Sequence, residues 1–369
     1  MVNTTVMKKL LIFLNILLAG CSDQPKVYLV LDKEVSYTRE NGVNDYFCCQ
    51  CDNNIFIANP YHSKTIYVYD INGGENIRKI ELPITTYVQG YHYESDSSVI
   101  FCPYHSTQIL RHNNITGTLD TLVNLTIAEL TRLRQSGNDL GPTVEFTCGP
   151  ATPLIAKTPH YYIANVVFPY GNKKEQMPII HFVITPDSTI VDNSVGRFPD
   201  SYYDEGKSMF PFNMTTTYTM NDKQEIVVSH LADHHLYIYK TDGNLISKEC
   251  KSKYLKELPK GIEITALENE NILAERDKLA AYVGIAFDSY RNIYYRFVKM
   301  PDKKAKTNNL FSFSIMILDT TFNVLGEQLY SNTPYNPINA LVTPEGLLLK
   351  KNDDYSGASK FGLFKIKGL

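Results

Sequence analysis

The sequence contains no tryptophan, although Tyr (26) and Phe (17) are plentiful. Propellers built from WD repeats, sialidase Asp-boxes or quinone-dependent dehydrogenase repeats all lean on Trp, so those families fit poorly. Aromatic packing has to rest on Tyr and Phe. A dominant charge sign is missing too: 36 Lys and Arg stand against 39 Asp and Glu, a net charge of −3. That balance offers no basic surface for a phosphate backbone and argues against nucleic acid as a partner. The short motifs of common chemistries are absent as well. There is no nucleophile elbow, no His-Glu-x-x-His, no phosphate-cradling glycine loop and no paired zinc-type Cys motif. After residue 20 no long apolar run occurs, so the body is expected to be soluble.

The first twenty residues read as an export signal. Lys8 and Lys9 are a short basic stretch, and Leu10 to Ala19 is apolar apart from Asn15. Such a run is too short to span a bilayer as a helix but suits a signal-peptide core. Starting translation at Met7 would bring the two lysines to the N-terminus. The run closes on Leu18-Ala19-Gly20-Cys21, which resembles the bacterial lipobox. Cys21 is therefore expected to be the lipid-bearing first residue of the mature chain. A Sec signal with an incidental Cys is the alternative. Several acyl chains on one residue would hold the chain on a membrane stably, where a single chain would not. The expected organisation is a signal peptide over 1–20, a lipidated N-terminus and short tether over 21–26, and one domain over 27–369. The expected location is the cell envelope, at the outer membrane.

Internal repeats define that domain. Pro60-Tyr61-His62-Ser63 recurs as Pro103-Tyr104-His105-Ser106, and a looser copy ends at Phe168-Pro169-Tyr170-Gly171. A fourth echo pairs Ile226–Val228 and Leu236–Tyr239 with Ile55–Ile57 and Ile66–Tyr69. Each copy reads as strands rich in Ile, Val, Tyr and Phe separated by Asn-Gly, Asp-Gly or Asn-Asn turns. Inner strand pairs fall at Asp45–Ala58, Val88–Cys102, Pro153–Phe168, Asn213–His230 and Tyr282–Val298. Outer hairpins fall at Thr65–Leu82, Gln108–Val123, Pro178–Val191, His235–Cys250 and Ser312–Tyr330. A sixth pair near Ile338–Leu349 has only one further strand, Phe361–Lys367, and the orphan strand Val27–Tyr37 can complete its sheet. The spacing predicts an all-β propeller of six four-stranded blades, closed by pairing of the N- and C-terminal strands. Seven blades require a sheet hidden in a long insertion. Two insertions read as short helices, opened by capping boxes at Thr126/Glu129 and Thr265/Glu268.

In such a blade the turn between the second and third strands opens on the same face as the link to the next blade, a common ligand face. Tyr61, His62, Tyr104, His105 and Tyr170 fall in those turns, as do His230, His234 and His235 in the fourth copy. They can form a binding rim of Tyr rings and imidazoles, or a turn that packs well and was duplicated for that reason. Glu145, Asp204, Glu205 and Asp288 are scattered carboxylates with no spacing that pairs them. Cys48, Cys49, Cys51, Cys102, Cys148 and Cys250 are expected to be buried, unpaired thiols, because Cys packs as a small apolar residue. In an extended strand Cys49 and Cys51 share a face opposite Cys48. Neither a metal nor a cofactor is expected.

Phe287-Asp288-Ser289-Tyr290-Arg291-Asn292-Ile293-Tyr294-Tyr295-Arg296-Phe297 reads as a hairpin, with Tyr295 and Phe297 on the face opposite Tyr294 and Arg296. An Arg set among aromatics can stack on a ring or hold a carboxylate. With the lipobox and the strand-rich body, this segment resembles a family of Bacteroidetes lipoproteins of unknown function thought to be propellers. The resemblance implies an envelope location and carries no activity. It also implies Asp-Ser/Thr-apolar glycosylation sites, which Asp120-Thr121-Leu122 matches; Asp187-Ser188-Thr189 and Asp319-Thr320-Thr321 match a permissive form. The function expected is a lipid-anchored, non-catalytic module binding a small ligand, glycan or envelope protein. The alternative is an envelope glycoside hydrolase or lyase using channel carboxylates or histidines.

Overall fold

A computed structural model describes residues 26–126, 129, 146–149, 151–165, 178–185, 188–192, 195–199, 202, 207–208, 216–259, 262–263, 279–301, 310–352 and 357–369. Cys21 and the residues before it, Tyr170, Glu145, Asp204, Glu205 and nearly all of both insertions expected to be helical lie outside these residues.

Six antiparallel sheets follow one another along the chain. Blade 1 runs Tyr46–Asp52, Ile55–Pro60, Thr65–Asp70, Asn76–Glu81, and blade 2 runs Val88–Ser95, Ser98–Pro103, Gln108–Asn113, Leu119–Asn124. In blade 3 two short segments, Phe146–Thr147 and Ile155–Lys157, share the innermost place beside His160–Asn165, followed by Ile179–Ile184 and Thr189–Asp192. Blade 4 is Thr217–Met220, Ile226–Ser229, His235–Tyr239, Leu245–Glu249, and blade 5 is Ala281–Asp288, Ile293–Lys299, Phe311–Leu318, Val324–Thr333. Blade 6 takes Tyr335–Val342, Leu347–Lys351 and Ala358–Lys367 from the end of the chain and Tyr28–Thr38 from its beginning. The innermost strands of blades 6 and 1, 1 and 2, 2 and 3, 4 and 5, and 5 and 6 lie against one another, as a ring around a channel requires. The expected propeller with six blades and a terminal-strand closure is therefore the architecture found. An extra two-stranded pairing, Lys207–Ser208 with Ile262–Glu263, stands outside it.

The burial patterns follow each strand's place in its blade. The second strand of blade 4, Ile226–Ser229, is buried at every residue, whereas its outer strand Leu245–Glu249 is exposed throughout. Middle strands are sandwiched between neighbouring blades on both faces, and outer strands meet water. Of the helical insertions, only the opening of the first is described. Glu129 accepts from the Thr126 amide at 2.8 Å, and the Glu129 amide donates to Thr126 Oγ1 at 3.2 Å, the reciprocal bonds of a capping box.

Closure rests on one long ladder and one ring. Tyr28–Thr38 pairs with Ala358–Lys367 from Tyr28↔Lys367 to Thr38↔Ala358, with a bulge between Leu31 and Lys33. The same strand then crosses to blade 1, where the Thr38 amide donates to the Gly74 carbonyl and the Gly74 amide to that of Ser36, both at 2.8 Å. Gly73 is required at this crossing. Its φ of +95° is left-handed, and a Cβ there would sit 2.5 Å from the Ser36 carbonyl. Tyr37 ends fully buried, stacked on Phe56 of blade 1 at 3.8 Å and edge-on to Phe361 of blade 6 at 5.7 Å. Its hydroxyl donates to the Ile71 carbonyl at 2.9 Å. Where Trp is lacking, this Tyr–Phe cluster is what joins the first and last blades. Tyr37→Ala should cost about 3–5 kcal/mol by urea denaturation, whereas Tyr37→Phe, which loses only the hydroxyl bond, should cost about 1 kcal/mol.

Candidate functional site

The repeated Pro-Tyr-His-Ser turn can be taken apart residue by residue. Pro60 and Pro103 are buried and end the second strands of blades 1 and 2. Ser63 Oγ accepts from the Thr65 amide at 3.0 Å and Ser106 Oγ from the Gln108 amide at 3.1 Å, the same local turn twice. The Tyr61 amide donates to the Asp45 carbonyl and the Tyr104 amide to the Tyr87 carbonyl, tying each turn to the segment that leads into its blade. His62 and His105 both take left-handed φ, 58° and 51°. That conformation costs a non-glycine residue roughly 1 kcal/mol. Pro, Ser and the backbone are thus accounted for by the turn itself.

The Tyr and His rings of the two turns lie together at the surface. Tyr61 stacks on His62 at 3.9 Å; His62 meets Tyr87 at 4.4 Å, Tyr87 stacks on Tyr104 at 4.2 Å, and Tyr104 meets His105 at 3.8 Å. Five rings form a continuous row across the top of blades 1 and 2. Tyr61 is half exposed, and both imidazoles are exposed. Tyr87 is missing from the sequence reading because it belongs to the link between blades, outside every repeat. Only the rule that this link opens on the turn face could have flagged it.

The histidines of blade 4 do not join the row. His230 is wholly buried beside Phe198, Tyr202 and Tyr237, with Nδ1 3.1 Å from Thr216 Oγ1. Burial, helped by the nearby Arg296 charge and opposed by Asp233, lowers its pKa to about 4. His234 is half-buried with Nδ1 2.8 Å from the Tyr282 hydroxyl, and His235 Nδ1 lies 2.9 Å from Asp233 Oδ1.

What holds this turn is Arg296, from the segment singled out in blade 5. Its side chain is fully buried and its guanidinium carbon lies 3.4 Å from the centre of the Tyr282 ring. Nε donates to Ser229 Oγ at 3.0 Å, Nη1 to the His234 and Cys250 carbonyls at 2.8 and 2.9 Å, and Nη2 to those of Asp233 and His235 at 2.6 and 3.3 Å. It stacks on a ring, as expected, and takes backbone carbonyls rather than a carboxylate. Asp288 is likewise spent on structure. It accepts from the Tyr290 and Arg291 amides, Arg291 Nη1 and the Tyr295 hydroxyl, all within 3.1 Å. Tyr295 and Phe297 pack toward blade 6 while Tyr294 packs toward blade 4, as the alternation requires.

Between the inner strands of blades 1 to 4 is a cavity of about 350 Å³ lined by Cys49, Cys51, His92, Cys148, Thr219 and Met220 among others. All six described cysteines are free. Cys48 packs with blade 2, while Cys49 and Cys51 face the blade 6 interface, the alternation expected of that strand. Burial drives the Cys49 thiol up to about 12, against the pull of Lys350, and drives Cys48, Cys51 and Cys148 well above the usual range. Protonated thiols are weak nucleophiles and weak ligands. No cluster of three or more His, Cys, Asp or Glu suited to a metal occurs among the described residues. Gly90 matters here, since a Cβ on it would fall 2.0 Å from that of Cys148, across the blade 2–3 contact.

A family model described as a domain of unknown function, DUF4221, matches residues 33–329. The chain belongs to the DUF4221 family. A DUF4221 member from Bacteroides vulgatus superposes with a TM-score of 0.74 at 19% identity, covering 93% of this chain and 99% of that one. A protein of Bacteroides fragilis described as a candidate exported protein gives a TM-score of 0.54 at 10% identity, covering 92% and 95%. Identities this low speak for the shared fold alone. None of the curated proteins matches. The DUF4221 match runs from within the closing strand to within the last strand of blade 5, so the Arg296 and Asp288 hairpin and both copies of the rim turn lie within it.

The lowered pKa of His230 has a consequence for this DUF4221 domain. Between pH 6.5 and about 4 the unfolded chain binds a proton that the folded chain refuses, so stability falls as pH drops through that window and is unaffected above it. At 1.36 kcal/mol per pH unit the loss approaches about 3 kcal/mol. Urea midpoints of wild type and His230→Gln measured from pH 7 to 4 should diverge in that direction, with the variant the flatter of the two.

Proposed function

We propose that this chain is a lipid-anchored propeller of the cell envelope that serves as a non-catalytic binding or scaffolding module, with the aromatic row as its contact. The observation that carries the reading is the continuous row of five rings that the two duplicated turns and the Tyr87 link bring together, with Tyr61, His62 and His105 exposed. Hydroxyls and imidazoles suit a hydroxyl-rich glycan or a peptide loop, which present matching donors and acceptors. Half-exposed Tyr61, at one end of the row, offers the broadest open ring. The lipobox ending at Cys21 supplies the anchor, and the membrane is then one fixed partner.

The glycoside hydrolase or lyase reading needs an acid and a base. The cavity between blades 1 and 4 is lined by His92, whose pKa burial lowers, and by no carboxylate among the described residues. An enzyme would have to bring its carboxylates from elsewhere, and propellers host both roles.

Two measurements test the proposal. Cys21→Ala should leave a folded protein outside the membrane fraction; retention there would remove the lipid as the anchor. A screen of envelope glycans and metal ions against wild type should yield ligands whose affinity drops roughly tenfold or more in His62→Ala/His105→Ala. Binding equal to wild type would remove the rim.

A further inference from the structure

We propose that the closing seam of the ring, between Tyr28–Leu31 and the outer strand of blade 5, is the face that rests on the lipid surface, so that the propeller stands edge-on to its membrane. The proposal rests on the anchoring reading and goes beyond it to an orientation.

A groove of about 530 Å³ opens at this seam, lined by Tyr28, Leu29, Val30, Leu31, Tyr330 and Phe364 among others. Its walls are mostly apolar and aromatic. Val30 and Leu31 are 42% and 43% exposed, two adjacent apolar residues on an outer strand that elsewhere shows water Asp32, Lys33 and Glu34. Tyr330 and Tyr335 turn their rings to the groove and their hydroxyls to polar partners, the Leu29 carbonyl at 3.3 Å and Glu34 Oε1 at 2.9 Å. The two rings thus form an aromatic wall behind the exposed Val30 and Leu31.

What covers this seam is indicated by the length of chain before it. Cys21 precedes Tyr28 by seven residues, at most about 25 Å of extended chain. A lipid on Cys21 must therefore sit within that distance of the groove and cannot carry the membrane to the far side of the ring. Charge agrees with a lipid partner. Lys26 and Lys367 are both exposed at this corner, where the Gly368 backbone lies directly on the Lys26 carbonyl. Lys33 and Lys365 are engaged with Glu345 and Asp32. Exposed lysines beside an apolar groove favour anionic headgroups.

The absence of tryptophan makes the test direct, because one introduced Trp is the sole indole in the chain. Leu31→Trp and Val30→Trp place it at exposed seam positions, and Ile190→Trp, 54% exposed on the outer strand of blade 3, places it across the ring. Each full-length protein is expressed with its anchor and reconstituted into phosphatidylethanolamine and phosphatidylglycerol vesicles carrying brominated acyl chains. N-terminal acylation is measured separately by mass. Acylated Leu31→Trp and Val30→Trp should be quenched several-fold more than acylated Ile190→Trp. Equal quenching of acylated proteins overturns the orientation and leaves the anchor standing. Lack of acylation overturns the anchoring reading and the orientation with it.

Discussion

A blade of this ring cannot bury its two faces alone; each is covered by a neighbour, and the last blade is completed for its contact with the first by the pairing of Tyr28–Thr38 with Ala358–Lys367. That pairing is the constraint on which the remainder depends. Its residues lie at opposite ends of the sequence, so forming it carries the largest loop-closure entropy in the fold. The compensation is concentrated where the strand passes from blade 6 to blade 1. Tyr37, Phe56, Tyr46, Tyr69 and Phe361 form one buried aromatic cluster there, and Lys350 of blade 6 reaches Asp45 and the Tyr46 carbonyl of blade 1 at 2.6 and 2.8 Å. A chain without indole side chains has closed its ring with several smaller rings, one pair stacked and the others tilted or edge-on.

The second fixed point is Arg296. Removing a guanidinium from water is costly, and a single missing partner would leave a charge without compensation. Here its bonds go to four carbonyls and one hydroxyl, with the Tyr282 ring beneath. Burial pulls its pKa below the ordinary value, opposed by nearby Tyr282 and Cys250. The four carbonyls belong to the blade 4 turn and to Cys250, where the chain leaves that blade. One side chain of blade 5 thus dictates the shape of the turn that carries His234 and His235. Blade 1 has no such Arg in its turn; Asn59 occupies the corresponding interior, donating to the Ser63 and Thr65 carbonyls.

The strands, their grouping into blades and the terminal closure were legible because they follow from local signals. Alternation of Ile, Val and Tyr marks strands, Gly73 and Gly243 mark turns, and an orphan strand has only one sheet to join. The rim was half legible. Tyr61, His62, Tyr104 and His105 stood out through duplication, whereas Tyr87 joined them only through the geometry between blades. His230 and His62 occupy similar turns and have opposite fates, one sealed under Phe198 and Tyr202 and the other exposed. No pattern within either turn distinguishes them, because the covering residues come from distant parts of the chain. The partners of Arg296 were hidden for a related reason: backbone carbonyls leave no signature in a sequence.

The closing strand also has a mechanical role. It is the first described element after the proposed tether, so any pull transmitted from the membrane arrives at Tyr28, whose partner Lys367 is the terminal pair of the ladder. A force along the strand loads the whole ladder in shear, and its hydrogen bonds resist together. A force across it opens the pairs one after another, and the bulge at Leu31 to Lys33 is an early interruption in that series. A propeller standing edge-on to its membrane is pulled across the ladder when it tips away from the surface and along it when it is dragged sideways. A ring tethered in the proposed way would be weaker to lifting than to drag.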